Sequence, residues 1–495
     1  MEINLKMSNA HEHQPTRITG LQWAAIGLGA IAMGSLIYVS LMHDGEHRET
    51  HGVNDAAPTM WAVLPFVGIL LTIATFPLIP ATAHWWENNR NRLMVSLCFA
   101  GITLAYYWLV YHAGKVVTVL EHSMIEEYVP FIVLLFSLYV ISGGICLSGD
   151  LAAHPVTNTA FLGVGAVIAS FVGTTGASML LIRPLLQTNA ERKHVKHTVI
   201  FFIFLVSNIG GCLLPIGDPP LFLGYLKGVP FLWTFHLWKE WAVLCGVLLV
   251  VYYIWDTMAY RHETKPDIVR DETQIRRLTL DGKPNLLMLL GVVLAVALVK
   301  PGEPFLGTSF HAFPFMRELV MLGLVALSLK FTAPSVRQAN KFNYAAILEV
   351  AALFIGIFIA MQPPLEILRA SGDDIGKVLD KPWKFFWITG GLSSFLDNAP
   401  TYLVFFQIAN SMTHQAGDGI FQLLDGNYIR QDLLVAISLG AVFMGANTYI
   451  GNGPNFMVKS IAEQSGVKMP SFFGYMAYSI GILVPLFVVV TLLFM

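Results

Sequence analysis

Ser170-Phe-Val-Gly-Thr-Thr-Gly-Ala-Ser178, followed by Ser207-Asn-Ile-Gly-Gly211 and Gly217-Asp-Pro-Pro220, interrupts apolar sequence with glycine, proline and small polar residues. A second set stands in the other half of the chain in the same order: Ser394-Phe-Leu-Asp-Asn-Ala-Pro-Thr401, Gly445-Ala-Asn-Thr448 and Gly451-Asn-Gly-Pro-Asn455. Ser170-Phe-Val aligns with Ser394-Phe-Leu, and Ile216-Gly-Asp218 with Ile450-Gly-Asn452. Such residues are unfavourable inside a membrane helix. Lipid offers no water to freed backbone groups, so irregular backbone survives only where protein buries it or where it lines a cavity. Two breaks in corresponding places of two halves point to a site built from discontinuous helices.

Composition supports a membrane setting. Of 495 residues, 55% are apolar and 13% charged, which fits a polytopic membrane protein and excludes a soluble enzyme. A net charge of -2 gives no reason to expect nucleic-acid binding. No GxxxxGK[ST] loop is present, so no bound nucleotide is expected, and no other cofactor. Nor is there a nucleophile–base or metal-ligand constellation of the kind an enzyme needs. Cys98, Cys146, Cys212 and Cys245 are scattered in apolar segments and read as small packing residues. His43, His47 and His51 share a helical face, but acidic neighbours make that loop a solvated one.

Apolar runs of spanning length are Leu21–Met42, Met60–Pro80, Leu93–Tyr111 and Tyr128–Leu147. Thr157–Leu186 is too long for one span and breaks at Gly173–Gly176, so it reads as a hairpin that enters and leaves on one side. A broken span, Thr198–Leu226, and Phe235–Tyr260 follow. The charged stretch Arg261–Lys283 reads as a solvated connector, with His194 and His197 in an interfacial cluster beside Arg192, Lys193 and Lys196. The second half repeats the layout. It has spans at Pro284–Val299, Arg317–Phe331 and Asn343–Met361, a hairpin at Trp383–Asn410 broken at Asp397–Pro400, a broken span at Asp432–Glu463, and Ser471–Met495. The expected fold is therefore an all-α polytopic membrane protein with about 11 transmembrane helices plus two re-entrant hairpins. Its expected divisions are an N-terminal segment (1–59), a first repeat (60–260), a connector (261–283) and a second, inverted repeat (284–495). With the N-terminus in the cytoplasm and the C-terminus outside, most of the 30 Lys and Arg fall inside. Short loops and the lack of targeting features suggest a bacterial inner membrane.

Two carboxylates lie in the breaks. Asp218 precedes a Pro pair, and Asp397 precedes Asn398 at the second hairpin tip. A charge at membrane depth costs about 2.5–3.5 kcal/mol on insertion scales, so it is rarely kept without use. Either residue can cap a half-helix, and capping is compatible with binding a cation or a proton. A carboxylate in such a cleft can exchange a proton for a cation. Thr174, Thr175, Ser178, Ser207, Asn208, Gly217, Asn398, Thr401, Asn447, Thr448, Asn452 and Asn455 cluster at the same breaks. Their hydroxyls, amides and unwound carbonyls are hard oxygen ligands suited to sodium. Glu349, in an apolar span, is a candidate proton relay or partner of a buried cation, whereas Lys459 and Glu463 read as an interfacial pair.

At these motifs the sequence resembles the ion transporter superfamily, most of all its NhaD-type sodium/proton antiporter branch. Relatives in that superfamily include arsenite permeases and citrate and dicarboxylate symporters. The resemblance runs from about residue 60 to the end. It implies exchange of sodium (or lithium) for protons by alternating access, with small ions and the lipid bilayer as partners, and a homodimer. In the dicarboxylate branch both tips read Ser-Asn-Thr. Here the tips are Thr174-Thr175-Gly176 and Asp397-Asn398-Ala399, and an aspartate there repels an anionic substrate while favouring a cation. The alternative is a sodium- or proton-coupled carrier of a carboxylate (citrate-like) or an oxyanion (arsenite-like), for which a basic residue at the midplane would be the sign.

Overall fold

Proline starts nearly half of the α-helices. It occupies the first or second position in ten of them, where its missing N–H removes a donor that no helical carbonyl could accept. In lipid this matters more than in water, since an orphan N–H there has no solvent to turn to.

The computed structural model describes residues 57–495 except 274, 301–310 and 424–425. The expected span Leu21–Met42 and the loop with His43, His47 and His51 lie outside the described residues. In chain order the first group is α1 (Leu64–Thr75), α2 (Pro80–Trp86), α3 (Asn89–Leu120), a π-helical segment (Glu121–Tyr128), α4 (Val129–Ser142) and strand β1 (Cys146–Asp150). Next come α5 (Pro155–Val172), α6 (Thr174–Thr188), α7 (Lys196–Leu205), α8 (Pro219–Leu226), α9 (Trp238–Tyr260), α10 (Lys265–Thr273) and β2 (Arg276–Asp281). The second half holds α11 (Pro284–Leu298), α12 (Met316–Phe331), α13 (Pro334–Ala339), α14 (Ala345–Ala360), α15 (Gln362–Ala370) and α16 (Gly372–Gly376). It continues with α17 (Pro382–Ser393), α18 (Asn398–Ser411), β3 (Ile420–Gln422), β4 (Tyr428–Arg430), α19 (Gln431–Met444), α20 (Gly453–Gln464) and α21 (Phe472–Phe494).

The protein is an all-α polytopic membrane protein. Among the described residues six helices are long and apolar enough to cross a membrane, or seven if the bent pair α1–α2 is one span. That number is below the expected one because the helix Asn89–Ser142 runs through two expected spans, Leu21–Met42 lies outside the described residues, and other apolar helices are individually short. Pro284–Leu298 and Gln431–Asn447 are apolar but below spanning length.

Several boundaries differ from the sequence reading. Met60–Pro80 is not one straight span, because the chain turns by 101° between Thr75 and Pro80. The stretch between the expected spans Leu93–Tyr111 and Tyr128–Leu147 is helical too, and helix runs from Asn89 to Ser142, interrupted by His112 with φ 68°. The next span stops at Ser142, since Cys146–Asp150 pairs antiparallel with Arg276–Asp281 of the connector. That connector is therefore partly structured rather than a loose solvated link. A second hairpin of strands, β3–β4, fills the loop before α19.

The helices sort into two groups by contact. α1, α3, the π-helical segment, α4, α11, α12 and α14 pack on one another and form a framework. The other group consists of the two hairpins (α5/α6 and α17/α18), the two broken spans (α7/α8 and α19/α20), α9 and α21. Within it the contacts are reciprocal: α6 of the first hairpin packs on α20, and α18 of the second packs on α8.

Candidate functional site

Each hairpin turns within a few residues, and the reason is local. Gly173 joins α5 to α6 with φ +80°, a left-handed conformation that a Cβ disfavours. In the second hairpin Asp397 caps α18, its Oδ1 accepting from the Ala399 N–H at 3.2 Å. That cap moves the break to Ser394–Asp397, slightly before the expected Asp397–Pro400. Pro400 then falls in the first turn, where it costs no hydrogen bond.

A serine in each hairpin staples the tip to the neighbouring break. Ser170 Oγ donates to Gly210 O at 2.6 Å and accepts from Leu213 N at 3.1 Å. Ser394 Oγ lies 3.1 Å from Met444 O and accepts from Asn447 Nδ2 at 2.9 Å. Gly210 and Leu213 stand eight and five residues before Asp218, as Met444 and Asn447 stand before Asn452. The two halves thus share one hydroxyl bridge. Both serines were visible in the aligned motifs, but each sits in a hairpin arm, and nothing in the sequence marked it as a staple.

All four elements converge on Asp218, which is 1% exposed. Its Oδ1 accepts from Thr174 Oγ1 at 2.9 Å and from Asn452 Nδ2 at 3.1 Å. Its Oδ2 accepts from Asn398 Nδ2 at 2.7 Å. These donors come from the first tip, the second break and the second tip. All are neutral, and among the described residues no basic side chain pairs with Asp218. Because both oxygens are occupied, Asp218 makes no side-chain cap to α8 although it is the N-cap residue. The fully buried Asn398 Oδ1 and the buried Asn447 Oδ1 have no hydrogen-bond donor. A buried acceptor left bare is destabilising unless something electropositive reaches it.

The other expected site residues divide into two sets. Gly217 contributes its carbonyl to Thr174 N at 2.8 Å, which pins the first tip to the first break. Ser178 and Ser207 hydroxyls meet at 2.8 Å, and Asn452 Nδ2 also reaches Ser207 O and Asn208 Oδ1, each at 3.2 Å. Asn208 and Asn455 join the two breaks directly, Nδ2 to Oδ1 at 2.7 Å. Asn455 otherwise serves its own loop, while Thr448 ties that loop to the second hairpin. Asn455 Nδ2 donates to Gly445 O and Thr448 O, each at 2.9 Å, and Thr448 Oγ1 to Ser394 O at 2.5 Å. Thr401 back-bonds to Asp397 O at 2.9 Å, and Thr175 takes no part in the Asp218 cluster. Glu349 is half-buried and paired with Arg92 at 3.0 Å, so of its two sequence readings it has a cation partner in the structure.

One cluster differs from expectation. Arg192 and His197, read as interfacial, are buried at the base of the first hairpin. Asp256, fully buried on α9, draws them in: Arg192 Nη2 lies at 2.7 Å and His197 Nε2 at 2.8 Å from its Oδ1, and Asn158 Nδ2 donates to Oδ2 at 3.2 Å. A carboxylate in apolar surroundings requires such partners. His194 keeps its exposed position, with Nδ1 3.2 Å from Glu263.

Comparison with known families gives one match. The family model CitMHS_2, described as "Putative citrate transport", covers residues 55–495. No curated protein matches the chain.

Proposed function

This chain belongs to the CitMHS_2 transporter family, and from that premise we propose that it is a secondary transporter exchanging sodium (or lithium) for protons at Asp218 and Asp397. The observation that carries this reading is the surroundings of Asp218. A buried carboxylate is held only by neutral donors, with the bare Asn398 Oδ1 on the residue that bonds it. Such a set lacks positive charge and offers hard oxygens, the requirement of a small cation. Asp397, at the tip of the same hairpin, uses one oxygen for its cap and has lone pairs to spare. Proton and cation then compete for the same carboxylates. The two halves act as inverted repeats that carry this site from one membrane face to the other.

The family description favours a second reading, the cation-coupled transport of a carboxylate such as citrate. Two aspartates and no basic partner repel a free tricarboxylate. In that reading the anion reaches the site with its charge covered by a bound cation.

Proton release from acid-loaded everted vesicles, on adding sodium, lithium, potassium or citrate, separates the two. Release by sodium or lithium that is lost in both Asp218→Asn and Asp397→Asn supports exchange. Absence of any cation response, together with cation-dependent uptake of labelled citrate, transfers the conclusion to the second reading.

A further inference from the structure

The half-helix that starts at Asp218 is held at its far end as well. α8 has only eight residues, and Lys227 follows as its C-cap. The Lys227 ammonium pairs with Glu127 of the π-helical segment, their side chains 21% and 4% exposed. The other Glu127 oxygen accepts from Gln362 Nε2 at 3.2 Å, and His122 Nε2 lies 3.4 Å from the first. Two more framework helices touch the same half-helix. The Tyr225 hydroxyl donates to Val296 O of α11 at 2.6 Å. Arg317 of α12, bound to Glu318, lies 5.9 Å and 5.7 Å from the ring centres of Phe222 and Tyr225. α20, which follows the other break, is different. Its Lys459 pairs with Glu463 in its own last turns at 3.5 Å. Among the described residues α20 forms no hydrogen bond or ion pair with the framework.

We propose that the Glu127–Lys227 pair is a latch between framework and site-bearing helices, closed in this structure and opened when the two groups move past each other. The proposal rests on the alternating-access reading above. A buried ion pair suits this work. Its net contribution to stability is small, because desolvation offsets attraction, yet leaving one member buried alone is costly. Closed, each charge covers the other. Open, both reach water. Either end state is tolerable and the half-broken one is not, which makes the contact two-state rather than gradual. A π-helical turn is an uncommon device that often marks functional segments, and here it carries Glu127.

The test reads geometry without any transported species. Spin labels at Leu287→Cys on the framework and Phe473→Cys on the site-bearing group, both exposed positions, report their separation in lipid nanodiscs by pulsed electron resonance. The background replaces the four native cysteines with serine. With the latch intact one distance should dominate. Glu127→Gln, which strips Lys227 of its partner, and Lys227→Met, which leaves Glu127 with only His122 and Gln362, should each shift the ratio toward a second distance on the order of tenfold. The double Glu127→Gln/Lys227→Met should shift it less, and it decides the matter if the single variants fail to fold. An unchanged distribution in the double variant and in every single variant that folds overturns the latch. Because no ion is added, that result is separate from failure of the cation site, which would appear as absent proton release with the distances still shifting.

Discussion

In the first half the hairpin tip is Gly173-Thr174 and the break ends at Asp218. In the second the tip is Asp397-Asn398 and the break ends at Asn452. The backbone devices agree: a serine staple in each half, a proline-started half-helix after each break, and a Gly-to-Gly approach inside each break. The charges do not agree. Each half supplies one carboxylate, but from non-equivalent places, a break in one and a tip in the other. Asp218 and Asp397 are the N-cap residues of α8 and α18, two helices that pack on each other, whereas those of α6 and α20 are the neutral Gly173 and Asn452. A duplicated scaffold with unduplicated charge gives one point of convergence, Asp218, instead of two.

The largest expected effect comes from making the breaks alike. Asp218→Asn places Asn in both and should lower cation-driven proton release roughly 100-fold or more, as loss of a buried charged partner worth about 3–5 kcal/mol implies. Adding Asn452→Asp to that variant should not restore it, since Asn398 and Thr174 converge on position 218. Recovery in vesicles would mean the two breaks are interchangeable.

Next comes Asn398→Ala. It removes a donor to Asp218 and a bare acceptor together, at about 1.5–3 kcal/mol for a bond to a charged group. Cation affinity, read as the concentration giving half-maximal proton release, should weaken about tenfold or more, and an unaltered value would remove Asn398 from the site. Thr174→Ala, its counterpart at the first tip, should cost less, because no bare acceptor goes with it.

Gly173→Ala sharpens the comparison of tips. With φ at +80° a Cβ there should cost about 1–2 kcal/mol, lowering the melting temperature in detergent, while Asp397→Ala loses only a cap at about 1 kcal/mol. The smallest effect separates the staples. Ser170→Ala and Ser394→Ala should each cost about 1 kcal/mol in stability. Only Ser394→Ala should also reduce stabilisation by added sodium, because it frees Asn447, whose Oδ1 is bare. Equal sodium effects would show the two bridges to be purely structural.

Most of the helices and both hairpins were legible because lipid makes hydrophobicity and its interruption unusually informative. The strand pair β1–β2 was not. Its partners, Cys146–Asp150 and Arg276–Asp281, are far apart in sequence, and the first lay hidden at the end of an apolar run. The continuous helix through Glu121–Glu127 was not legible either, because its acidic residues favour solvent until their partners are known, and Lys227 and Gln362, which cover Glu127, are remote in the chain. The buried Arg192–Asp256–His197 cluster escaped for the same reason, since each of its charges looks interfacial until its partner is known.

By itself the sequence determined that the chain crosses a membrane, that its halves correspond, and which residues interrupt them. Those follow from local chemistry, because apolar length, glycine and proline act on the segment that contains them. The tertiary structure decided which interruptions meet. It chose Asp218 as the point of convergence, tied Thr448 to the second hairpin and Asn455 to the first break, and joined α8 to the framework through Glu127. Those choices depend on distances between residues remote in the chain, and a buried polar group takes its role from the partner it finds.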